Sequence, residues 1–198
     1  MGKMEVSETF KQRRSIRKYS DKKVPMNLIH DILEEAKLAP SAGNTQNWRF
    51  IVVTDIEKKK DIAKASLNQN WMTTSPVYLV VCNDTPRLVE LYEKNGKFFS
   101  IQNCAAITSF ILLSATGKGL GSCWVGVFDY KKIQKILGLP DDIFPDAVIT
   151  LGFSDEPKSS KHLREDVENL TYFNSWKNKK YIEEKVSLKD KLKKAIKK

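Results

Sequence analysis

The stretch from Phe98 to about Thr116, FFSIQNCAAITSFILLSAT, most constrains what this chain can fold into. Read as a helix, it lines Ile101, Ala105, Thr108, Leu112 and Ala115 along one stripe, with Ile107, Ile111 and Leu113 on the other sides. A helix apolar nearly all the way round has to be buried on more than one face. In a chain of 198 residues that calls for a subunit interface as well as a core. No apolar run approaches the ~20 residues that a membrane helix needs, so no membrane span is expected.

The rest of the chain surrounds this helix with short elements. Val6 to Gln12 predicts a short helix. Pro25 followed by Leu28, Ile32, Ala36 and Ala39 predicts a second, with the proline tolerated in its first turn. Pro40 and the polar run Ser41-Ala42-Gly43-Asn44 break it. Trp48 to Thr54 is β-branched and aromatic and predicts a strand. Pro76 to Cys82 is apolar on both faces and predicts a central strand. The glycines from Gly117 to Gly121 close the long helix. A strand at Ser122 to Val125, a helix at Tyr130 to Leu137 and a strand at Ala147 to Phe153 follow. With a helix also expected between the first two strands, the layout is α+β rather than a strict βαβ alternation.

The net charge of +10 looks like a nucleic-acid signal until it is located. Residues 177–198 hold ten lysines against Glu183, Glu184 and Asp190, leaving +3 for the remainder. That tail has Tyr181, Leu188, Leu192 and Ile196 at near-heptad spacing and reads as an amphipathic helix lying across the body or a partner subunit. It has no arginine and, apart from Tyr181, no interleaved aromatic, so nucleic acid binding is not expected. The reading divides the chain into one domain over residues 1–176 and a lysine-rich helical extension over 177–198. Cys82, Cys104 and Cys123 are widely spaced, and the two histidines, His30 and His162, complete no metal cluster with them. Reduced core thiols and an N-terminus without an apolar leader point to a soluble, cytoplasmic protein.

Three stretches can carry chemistry. RRSIRKYS begins at Arg13, where the first helix should end, and puts three guanidiniums and a hydroxyl within five residues. The planar arginine fork suits paired charge-assisted bonds to an anion such as phosphate. Alternate residues of an extended loop point in different directions, so Arg13 and Ser15 can hold one end of a ligand while Arg17 reaches another. LAPSAGNTQNW, from Leu38, offers directional groups at Ser41, Asn44 and Gln46, with Gly43 allowing close backbone approach. GLGSCWVGVFD, from Gly119, lacks both GxGxxG and the Lys-Ser/Thr of a P-loop, but its glycines can present main-chain N–H groups to a flat heterocycle. No nucleophile–base arrangement is credible. If the chain is an enzyme, something bound must do the hard chemistry.

In this order and spacing, the three stretches resemble the FMN-dependent nitroreductase family of NAD(P)H:flavin oxidoreductases. Its members carry R-R-S-x-R-x-Y/F, then A-P-S-x-x-N-x-Q-x-W, then G-L-G-S-C-W-x-G after a long apolar helix. The resemblance covers roughly residues 6–170. It implies a nitroreductase-like α+β fold, a mostly antiparallel sheet flanked by helices, and a homodimer with the long helix at its interface. It implies FMN in pockets built from both chains, with Arg13, Arg14 and Ser15 at the phosphate and ribityl chain and Arg17 at the N1/O2 edge of the isoalloxazine. Ser41, Ala42 and Asn44 match the segment supplied by the other subunit. Gln69 matches a polar contact to the pyrimidine side, and Gly126 and Val127 a backbone contact toward N5 and O4. Lys161 and His162 stand where phosphate-binding arginines are common. Asn47 replaces a usual proline, a change expected to alter loop stiffness and not chemistry.

The activity implied is ping-pong hydride transfer from NADH or NADPH through the flavin to a nitroaromatic, quinone or similar acceptor. No catalytic side chain and no metal are implied. The same resemblance leaves open a flavin-dependent dehalogenase or flavin-degrading relative, or a non-catalytic FMN store or sensor. Trp71, Tyr92, Phe98 and Phe99 are the aromatic candidates for the wall over the flavin.

Overall fold

The computed structural model describes residues 5–155 and 164–179, which fall in two compact units, Met1–Lys158 and Ser159–Lys198. In chain order the first holds α1 (Val6–Gln12), α2 (Met26–Ala36), β1 (Trp48–Val53), α3 (Ile56–Ala65), β2 (Val77–Asp84), α4 (Pro86–Tyr92), α5 (Gly96–Gly117), β3 (Gly121–Val125), α6 (Tyr130–Leu137) and β4 (Ile143–Gly152). The strands pair antiparallel throughout, in the order β1–β2–β4–β3, so the fold is α+β as expected.

The apolar run of β2 explains the layering. Because successive side chains point to opposite faces, Val77, Leu79 and Val81 join one core, with Ile29 and Ile32 of α2 and Ile107 and Ile111 of α5. Tyr78, Val80 and Cys82 join the other, with Ile62 of α3, Met72 and Ile133 of α6. Each fully buried aliphatic side chain contributes roughly 1.5–3 kcal/mol. The two layers of helices are therefore what a strand apolar on both faces requires. Asp55 and Asp129 start α3 and α6 by accepting the backbone N–H groups of Lys58 and Lys132 at 2.8 and 3.1 Å.

The structure differs from the sequence expectation in several places. α2 ends at Ala36 rather than Ala39, and Leu38 beyond it is 76% exposed. β4 begins at Ile143, four residues early, because a bulge absorbs the extra residue: Val81 faces Ala147 and Cys82 faces Pro145, leaving Asp146 outside the register. α4 falls in a segment without clear apolar periodicity, although Pro86 at its first turn is a recognised start signal.

α5 also needs a correction. Within one chain it buries Ser100, Cys104, Ile107, Thr108, Ile111, Leu112 and Ala115, while Phe98, Ile101 and Phe110 are 61%, 55% and 39% exposed. Ile101, expected on the buried stripe, looks outward. The run Pro86–Gly117 is long and apolar enough by composition to cross a membrane, contrary to the expectation; half of the apolar window is buried inside this fold.

The arginine-bearing loop after α1 is tied along the sheet's β3 edge. Ser15 forms a parallel bridge with Ser122, and the Ile16 N–H donates to the Ser122 carbonyl at 2.9 Å. Gly121 makes room: a Cβ there would sit 3.0 Å from the Ile16 side chain. Further on, the buried Tyr19 hydroxyl donates to the Ile16 carbonyl at 2.7 Å and shares a 2.7 Å bond with Thr150 Oγ1 on β4.

In the second unit α7 (Val167–Leu170) is followed by Tyr172 and Trp176, whose ring centroids lie 4.5 Å apart. Lys179 Nζ donates to the Asn169 carbonyl at 2.9 Å and sits 4.3 Å from the Tyr172 ring centre. The helix expected over 177–198 lies, beyond Lys179, outside the described residues.

Tyr19→Phe should lower unfolding free energy by about 1 kcal/mol. A urea midpoint indistinguishable from the parent would show that the hydroxyl does not hold the loop down.

Candidate functional site

Extended backbone between Arg13 and Arg17 sends alternate side chains to opposite sides. Arg13, Ser15 and Arg17 all act on the buried Cys123 thiol, which burial pushes up while Arg17, Ser15 and Arg13 pull it down. Arg14 and Ile16 turn the other way and line a cavity of about 80 Å³ with Gln12, Gly119 and Ser122. Arg14, grouped with Arg13 and Ser15 on sequence, thus lines this cavity, whereas Arg13 and Ser15 act on Cys123. Arg17 lies 5.6 Å from the centre of the Trp71 ring, and Trp71 Nε1 donates to Gln69 Oε1 at 3.1 Å. A guanidinium over an indole is favourable and leaves its N–H edge free to bind. Among the described residues neither Arg13 nor Arg17 is ion-paired with a carboxylate. Two cations that lack a carboxylate partner among the described residues, beside a stacked indole and an amide, fit an anionic, flat ligand.

The loop Ser41–Asn47 is held against its own backbone preference. Gly43, Asn44 and Gln46 have φ of 54°, 53° and 46°, the left-handed region that costs non-glycine residues about 1 kcal/mol or more each. Glycine is required at 43 twice over, since a Cβ would run into the Tyr92 hydroxyl. Ser41 Oγ accepts the Gln46 N–H at 3.1 Å, and Gln46 Nε2 donates to Asn44 Oδ1 at 3.0 Å. Within one chain, no hydrogen bond or ring contact among the described residues joins this loop to the arginine cluster.

Behind the loop lies a buried polar layer that the sequence reading did not foresee. Asn47 is 2% exposed and donates to Asn83 Oδ1 at 2.9 Å while accepting from Asn103 Nδ2 at 2.7 Å. It is therefore more than a stiffness change in the loop. Asn83 Oδ1 also accepts from Ser100 and Thr85, and Asn83 Nδ2 donates to Asp146 Oδ2 at 2.9 Å. The signal available in sequence was two asparagines, 83 and 103, inside otherwise apolar segments. Asp146 opens onto a cavity of about 470 Å³ whose walls include Gly126, Phe128, Tyr130, Phe144, Ile101 and Lys97. Burial holds its carboxyl above the usual carboxylate range, against the lowering effect of hydrogen bonds from Asn83 and Cys104. The neighbouring Cys82 thiol is pushed up to about 12, chiefly by burial, so it stays protonated at neutral pH.

Gly126 and Val127 follow β3 directly, Gly126 on the wall of that cavity and Val127 63% exposed. Lys161 and His162 lie outside the described residues. No group of three histidine, cysteine or acidic residues suited to a metal occurs among the described residues.

The sequence model of the Nitroreductase family matches residues 10–71 and 66–153. A protein of Archaeoglobus fulgidus, provisionally named NADH dehydrogenase/NAD(P)H nitroreductase, is 40% identical over 157 residues, spanning 77% of this chain and 86% of its own. An FMN reductase [NAD(P)H] of Bacillus subtilis is 29% identical over 171 residues, spanning 79% of this chain and 69% of its own. Among solved structures, a nitroreductase family protein from Clostridium novyi NT superposes with a TM-score of 0.71 at 30% identity, over 88% of this chain and 96% of its own.

Asp146 offers a test of the polar layer that needs no ligand. A folded carboxyl that holds its proton more tightly than the unfolded one opposes folding once ionised. The penalty is absent below the unfolded value, about pH 4, grows as pH rises from there to the folded value, and is constant above it. Asp146→Asn should therefore be more stable than the parent at pH 8, with the gap closing toward pH 4 in urea titrations. A gap independent of pH would mean the carboxyl titrates normally.

Proposed function

The chain belongs to the nitroreductase family, and on that footing we propose that it is an FMN-dependent oxidoreductase. It passes hydride from NADH or NADPH to a small organic acceptor such as a nitroaromatic or a quinone, the donor and acceptor using one pocket in turn. The observation that carries this reading is the cluster of Arg13, Ser15 and Arg17 around Cys123. It combines cationic donors that have no carboxylate partner among the described residues with Trp71 and Gln69 alongside.

The residues present fit the cofactor. Arg13 and Ser15 would hold the phosphate, since a dianion matches a guanidinium fork and a hydroxyl on the same side of the loop. Arg17, held against Trp71, would lie along the pyrimidine edge, where a fixed cation stabilises negative charge without reorganising. Gln69 already gives its carbonyl to Trp71, leaving its amide N–H groups for the heterocycle. Gly126 and Val127 would offer main chain at the far edge. When bound, the flavin supplies hydride acceptance and donation, which no side chain of this site provides. The Cys82, Cys104 and Cys123 thiols are all raised by burial and so are poor nucleophiles at neutral pH.

Ser41, Ala42 and Asn44 would reach the pocket of a partner subunit in a homodimer. The outward face of α5, with Phe98, Ile101 and Phe110 exposed, supports that assembly. The same arrangement explains why the loop and the arginine cluster do not meet within one chain.

The purified protein should show a flavin absorption spectrum and release FMN on heating, at about one per chain. It should also oxidise NADH or NADPH when a quinone is added. Arg17→Ala should weaken FMN binding about tenfold, one charge-assisted bond's worth, with unfolding free energy within ~0.5 kcal/mol of the parent. A colourless protein that takes up no added FMN would sink the oxidoreductase reading.

A further inference from the structure

Four side chains form a single directed hydrogen-bonded line. The Ala42 N–H donates to Asn103 Oδ1 at 2.9 Å, and Asn103 Nδ2 to Asn47 Oδ1 at 2.7 Å. Asn47 Nδ2 then donates to Asn83 Oδ1, and Asn83 Nδ2 to Asp146 Oδ2, both at 2.9 Å. The Ala42 end is chemically fixed, because a backbone N–H can only donate, and at the other end Asp146 Oδ2 accepts from Asn83. Each of the three amides in between has one orientation that satisfies both neighbours, so the whole line has one polarity. Resting on the flavin reading above, we propose that Asn103, Asn47 and Asn83 are positioning residues that hold the Ser41–Asn47 loop in its flavin-facing shape, the line needing at its far end only an acceptor, which Asp146 supplies.

Three observations favour positioning over general support. The loop carries two non-glycine residues in the left-handed region, and such backbone persists where surrounding structure over-determines it. The line runs through the interior, where Asn47, Asn83 and Asn103 are at most 4% exposed, and apolar packing would serve stability at least as well. Its members come from the loop itself, from β2, from β4 and from α5, so they join the loop to three separate elements. Hydrogen bonds in series also polarise one another, which makes the line stiffer than its members taken singly.

The polarity suggests an exchange experiment, read by FMN affinity and by hydrogen exchange at the Ala42 and Gln46 amides. Asn83→Asp puts two carboxylates face to face and should weaken FMN binding about tenfold while speeding exchange at both amides. Asp146→Asn keeps an acceptor facing Asn83 and should bind FMN within about twofold of the parent. The double variant Asn83→Asp/Asp146→Asn restores the bond with donor and acceptor exchanged and should recover both readouts. If Asn83→Asp does not fold, Asn47→Asp breaks the line one step nearer the loop and should show the same loss. A folded Asn83→Asp or Asn47→Asp variant with parental FMN affinity, or a double variant that recovers neither readout, would overturn the proposal. Exchange that follows the expected pattern in a parent protein that takes up no FMN would instead sink the flavin reading and, with it, the role given to the loop. Parental loop exchange in Asn83→Asp, beside normal FMN binding by the parent, sinks the line alone.

Discussion

Every layer of this fold follows from β2 having no face to give to water. A strand whose residues 77–83 are all buried needs cover on both sides. α2 and α5 supply one cover, and α3 and α6 the other. With both faces taken, chemistry is left with the rim of the sheet. The arginine loop occupies the β3 edge, the Ser41–Asn47 loop the ground beside α5, and the Asp146 cavity the end where β4 bulges.

The rim holds two kinds of polar group under opposite rules. Arg13 is half-buried and Arg17 exposed, so both guanidiniums reach solvent. The amides behind the Ser41 loop are dry and therefore neutral, matched atom to atom. Cys123 lies between these regimes. Two guanidiniums and a hydroxyl pull its thiol toward ionisation, yet burial wins and the thiol stays raised. Magnitude decides here: proximity to cations does not make a reactive sulfur when the desolvation penalty is larger.

What could be read in the sequence is what local pattern carries. The long helix appeared within two residues at one end and one at the other, because apolar content over nineteen positions outweighs any single residue. β2 was visible as a run apolar on both faces. The alternation of the arginine loop was also readable, but which side each arginine takes depended on the bridge from Ser15 to Ser122. Ile101 was misassigned because a helix apolar all round has no stripe that periodicity can single out. Asn47 was taken for a stiffness change, since its partners lie 36 and 56 residues away and nothing local announces them. Pairing of that kind belongs to tertiary structure, and one sequence holds it only as isolated polar residues in apolar surroundings.

The bridge between Ser15 and Ser122 has one more effect. β3 pairs with β4 on one side only, and an edge strand left open invites pairing with another chain. The arginine loop lies along that edge and takes up its Ser122 carbonyl. The loop that carries the three arginines thus also covers part of the sheet's open edge. Peeling this loop away would uncover the unpaired Ser122 carbonyl on the β3 edge, so the loop's backbone is tied to the sheet's protection from other chains while its side chains are not part of that bond.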